Sequence, residues 1–72
     1  MLKVVTQIEQ ITCTANVPRT YVFPEVPGAI ISIPIARGEG VIVTRDFDVS
    51  GNVTVLSPVS QDVSVILVTF KK

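Results

Sequence analysis

Side chains able to act as nucleophiles, acid–base catalysts or metal ligands are few in this chain and stand apart from one another. Its 72 residues include no histidine, one cysteine and six carboxylates. Cys13 alternates with Ile11 and Ala15 and has no imidazole to deprotonate it, so a buried small hydrophobe is expected there and not a nucleophile. Glu9, Glu25, Glu39 and Asp62 are isolated in sequence, and Asp46 and Asp48 share one face of a strand end where solvent keeps both ionised. No catalytic residue is assigned, and the chain is read as non-enzymatic.

The pattern with most chemical content is Asp46-x-Asp48-x-Ser50-Gly51-Asn52-Val53. It resembles the first eight positions of an EF-hand calcium loop, with oxygen ligands at one, three and five, glycine at six and an apolar residue at eight. The resemblance implies calcium held by the side chains of Asp46, Asp48 and Ser50 and the carbonyl of Asn52. It departs from the family at the twelfth position, where Ser57 replaces the bidentate Glu, and in its flanks, which read as strands and not helices. Asp, Ser, Gly and Asn are also the residues a tight reversal requires, so a plain turn accounts for the segment without any cofactor.

Two further spellings carry no weight. Asn52-Val53-Thr54 is a glycosylation sequon in a chain whose start lacks a signal-peptide core, and Arg37-Gly38-Glu39 is read as a solvated turn. Tyr21 and Phe23, close to Arg19, offer a small aromatic platform for a carbohydrate, base or peptide. Only four aromatic residues are present, and the competing expectation is that these two plug the core or an intersubunit seam.

The elements that would position such groups are strands. Twenty-nine residues are β-branched (14 Val, 8 Ile, 7 Thr) against three Leu and three Ala, a composition that favours pleated backbone almost throughout. Leu2, Val4, Thr6 and Ile8 alternate with Lys3, Val5, Gln7 and Glu9; the apolar phase then slips by one residue, and Ile11, Cys13, Ala15 and Val17 take it up. A slip of that kind predicts a bulge or sharp bend at Glu9 and Gln10, where a long strand passes from one sheet to another.

Residues 16–28 hold Pro18, Pro24 and Pro27 around Tyr21, Val22 and Phe23, which predicts a loop with one short edge strand. Residues 29–36 resume strand character, with Pro34 confining them to an edge or a bulge. A turn at Arg37-Gly38-Glu39-Gly40 then predicts a hairpin with the strand 41–47, and residues 48–52 reverse the chain again into Val53 and Val55. The last strand, 63–70, is apolar on both faces, Val63, Val65 and Leu67 on one and Ile66, Val68 and Phe70 on the other, so it must be covered on both sides, centrally or at a subunit contact. These six residues are the candidate interaction residues. About six or seven short strands with turns every 8 to 12 residues give the expected fold: one all-β domain, a small antiparallel β-sandwich or partly open β-barrel.

Composition narrows the function. A single core of this size supplies only about 3 to 5 kcal/mol, and neither a disulfide nor a zinc cluster can be built from one Cys and no His, so association is the expected source of further stability. Hydrophobic residues make up 47% and charged residues 17%, below the roughly 25% of typical soluble domains, with a mean hydropathy of +0.57. Six basic residues balance six acidic ones without clustering, which disfavours nucleic acid as a partner, and no apolar run approaches the roughly 18 residues that cross a bilayer. A cytoplasmic site of synthesis is expected.

The reading that follows is a structural or assembly protein, a homo-oligomer or an accessory subunit of a larger particle. In general character it looks like small bacteriophage virion proteins of the capsid-decoration, cement or fibre-base type. That resemblance implies docking through Leu2 to Ile8 or Val63 to Phe70, with the turns at Gly38 and Gly51 outward. The alternative is a ligand-binding β module, with calcium at the 46–52 turn or carbohydrate at the Tyr21 and Phe23 loop.

Overall fold

The computed structural model describes residues 1–44 and 51–72. Six strands run in chain order: β1 Lys3–Cys13, β2 Arg19–Val22, β3 Ala29–Arg37, β4 Ile42–Thr44, β5 Asn52–Leu56 and β6 Gln61–Lys71. They form two antiparallel sheets of three strands, in the orders β1-β6-β3 and β2-β5-β4, packed on each other and not closed into a barrel. The molecule is long and narrow, 41 × 17 × 17 Å, as two eleven-residue strands at about 3.4 Å per residue dictate.

β6 lies at the centre of its sheet, paired along its length with β1 on one side and β3 on the other. Its inward residues Val63, Val65 and Leu67 meet Val53 and Val55 of β5, together with Ile11, Cys13 and Phe23. Tyr21, Ala36, Val41 and Val43 close the edges of this cluster. Cys13 is 1% exposed, the buried small hydrophobe that its apolar neighbours indicate. Further along the same inner face Thr69 and Ser32 are both buried and share a hydrogen bond of 3.0 Å, so polar side chains are satisfied where the apolar cluster runs out.

Prolines and glycines act where their chemistry allows. Pro34 sits in β3, an outer strand of its sheet, where a missing N–H is tolerated. β2, the short strand expected among the prolines, is likewise an outer strand. Gly51 does not face outward: it is buried, its carbonyl accepts from Phe23 N–H at 2.9 Å, and a Cβ there would run into the Phe23 backbone.

The hairpin expected between 29–36 and 41–47 does not form. β3 belongs to the sheet of β6, and β4 to the sheet of β5, so the turn at 37–40 is a corner that carries the chain across the end of the sandwich. Gly40 turns it with φ of 67° while packed close against the Pro58 ring. The Gln61 side chain then holds the corner, accepting from Glu39 N–H at 3.0 Å and donating to Glu39 C=O and to Ser57 Oγ, each at 2.8 Å. The crossing wins because it delivers Val41 and Val43 to the shared core, which a hairpin extending the first sheet would not do.

Two substitutions test this account. Gln61→Ala removes the three hydrogen bonds at the corner and is expected to lower unfolding free energy in denaturant by about 2 kcal/mol. Gly51→Ala must push β2 off β5 and is expected to cost more, about 3 kcal/mol, in the same titration.

Candidate interaction surface

The surface begins with the phase slip in β1. The register of β1 on β6 is unbroken from Lys3↔Lys71 to Cys13↔Gln61, so the bulge expected at Glu9 and Gln10 is absent and the strand stays in one sheet. What changes there is the side of the sheet that is apolar. Leu2, Val4 and Ile8 lie on the outer face, whereas Ile11 and Cys13 point into the core. A bulge and a change of covered face both displace the apolar period by one residue, and sequence alone does not separate them. The register does shift elsewhere, between Ala29 and Ile31 of β3, where the extra residue lets Ala29 sit opposite Lys71 and Ile31 opposite Phe70.

Residues paired across an antiparallel ladder share a face, so the outer side of this sheet can be read row by row. Val4, Phe70 and Ile31 form one row; Thr6, Val68 and Ile33 the next; Ile8, Ile66 and Ile35 the third. The fourth row, Gln10, Ser64 and Arg37, is polar in all three strands at once. Leu2, which directly precedes β1, continues the alternation of Val4, Thr6 and Ile8. Leu2, Val4, Ile8, Ile31, Ile33 and Ile35 are exposed, from 36% at Ile33 to 67% at Ile8, and Ile66, Val68 and Phe70 are half-buried between them. Nine apolar side chains thus stand on the outside of one sheet, against eight in the buried core. None of the three apolar rows contains a charged residue.

The six candidate interaction residues of the last strand divide between these two faces. Val63, Val65 and Leu67 are 0%, 0% and 3% exposed in the core, while Ile66, Val68 and Phe70 are the middle column of the outer surface. The isoleucines of β3 were not assigned to it from sequence. Their signal was present, since Ile31, Ile33 and Ile35 repeat at the strand period, but the partner row that puts them beside β6 and not beside β4 is a matter of topology.

The other candidate groups lie elsewhere. Phe23 is 3% exposed in the core and meets the half-buried Tyr21 edge-on, with ring centroids 4.8 Å apart and planes at 69°. Arg19 is exposed at the start of β2. Of the calcium candidates, Asp46, Asp48 and Ser50 fall outside the described residues; Asn52 begins β5, exposed and paired with Val22.

The Tyr21 hydroxyl reaches across to the other sheet and donates to the Glu9 carboxylate at 3.3 Å. Burial of the ring and, after it, the neighbouring negative charge raise the phenol above its ordinary 10.0. Stability associated with the neutral phenol is therefore present below pH 10 and declines as pH rises through the higher folded value. Ultraviolet titration of the folded protein is expected to show a tyrosinate midpoint above pH 10, and Glu9→Gln to move the midpoint part of the way back, because burial remains. Comparison of the chain with protein-family models, curated proteins and solved structures finds no match to any of them.

Proposed function

We propose that this is a non-enzymatic structural protein whose work is association, as a homo-oligomer or as an accessory subunit on a larger particle. The observation that carries the reading is the outer face of the β1-β6-β3 sheet, where apolar side chains are as numerous as in the core and, among the described residues, no element lies over them. Contiguous apolar surface of that extent marks an interaction site in a folded protein. The chain's chemistry points the same way: no histidine, and a single cysteine that is buried.

Small size, neutral charge and an all-β fold with one adhesive face suit a protein arrayed in many copies, and a bacteriophage decoration, cement or fibre-base protein is the particular kind proposed. The decisive experiment is molar mass in solution, by light scattering behind a sizing column across a wide range of concentration. A mass that is a multiple of 7.8 kDa is expected. A monomer that stays soluble at the highest concentrations would overturn the homo-oligomer and leave the accessory subunit, whose face is covered only on the particle.

A further inference from the structure

We infer that the occupant of the outer face is a second copy of this chain, packed sheet against sheet about a two-fold axis, so that the apolar rows of one β1-β6-β3 sheet cover those of another. The inference rests on the association reading above and adds to it the partner and the surface.

Three features of the face favour a second copy over a foreign partner. First, it is uncharged. In an isologous contact each group near the axis meets its own equivalent, so a charge there would be opposed by itself; the three apolar rows contain Thr6 and otherwise only aliphatic and aromatic side chains. Interface cores in general are depleted of charge, and for a second copy an uncharged interior is in addition a requirement of the symmetry, which this face meets. Second, its extent is right. With six side chains 36% to 67% exposed and three more half-buried, the face offers roughly 600 to 700 Å² per copy, so a pair buries roughly 1,200 to 1,400 Å², within the range of specific interfaces.

Third, the sheet needs a layer on both faces over the same stretch. On the inner face Val63, Val65 and Leu67 are covered by the second sheet of the same chain, and Thr69 and Ser32 beyond them are buried as well. On the outer face Ile66, Val68 and Phe70 with their neighbours in β1 and β3 are apolar, and the polar row of Gln10, Ser64 and Arg37 ends the apolar area. The chain supplies the layer for the inner face, and a second copy supplies it for the outer face by the same kind of packing, at a spacing of about 10 Å.

The test uses two outer-face variants of the whole chain, each checked for an unchanged circular dichroism spectrum. Ile33→Glu places a charge in the middle row, and Thr6→Lys places one in the same row without removing any apolar side chain, so it retains the fold even if Ile33→Glu does not. The wild-type protein is expected at twice 7.8 kDa, or at a higher even multiple, with Thr6→Lys reducing the mass at least twofold at the same concentration. An oligomer whose mass Thr6→Lys leaves unchanged would overturn the assignment of the face and leave the association reading standing. An odd number of copies would overturn the two-fold pairing alone. A wild-type monomer at every concentration would overturn the two-fold pairing together with the homo-oligomer reading.

Discussion

Everything in this fold depends on one strand having to be covered on both faces. β6 is apolar at every position from Val63 to Phe70 except Ser64 and Thr69, and a strand of that composition is stable only inside a sheet and between layers. β1 and β3 meet the first requirement by pairing along its two edges, and β5 with its neighbours meets half of the second by covering Val63, Val65 and Leu67. The other half, Ile66, Val68 and Phe70, is only flanked by residues of β1 and β3 that are themselves exposed. The proposed association is the completion of that same requirement by a source outside the chain.

Strand composition and turn chemistry made much of this legible. β-branched residues, isolated glycines and prolines, and the doubly apolar final segment together indicate an all-β sandwich or partly open barrel with its last strand central or at a subunit contact; the structure has two antiparallel sheets of three strands, with β6 in the middle of one. Cys13, placed in the core from its apolar neighbours, is buried there, and so is Phe23, expected in the core or at an intersubunit seam. These are local signals, readable because the strand period repeats within a few residues.

What could not be read was long-range. The turn at 37–40 has hairpin chemistry but serves as a corner, since the partner of β3 is decided by β6, nearly thirty residues further on. The phase slip at Glu9 and Gln10 was ambiguous for the same reason: its meaning depends on which face a distant element covers. The outer surface is assembled from three segments that no short window contains. Such a surface becomes visible only when the register is known.

The pairing of β1 with β6 joins Lys3 to Lys71, almost the two extremes of the chain, and β3 too waits for β6. Neither β1 nor β3 has its sheet neighbour until β6 is available, so the first sheet cannot form progressively from one end. Closing so long a loop before any of these contacts is made slows folding relative to a fold of local hairpins. Through that interval Ile31, Ile33 and Ile35 remain an unpaired apolar strand, open to the equivalent strand of a neighbouring nascent chain. The topology that gives the protein its central strand thus also makes the yield of correctly folded molecules depend on how many copies are emerging together.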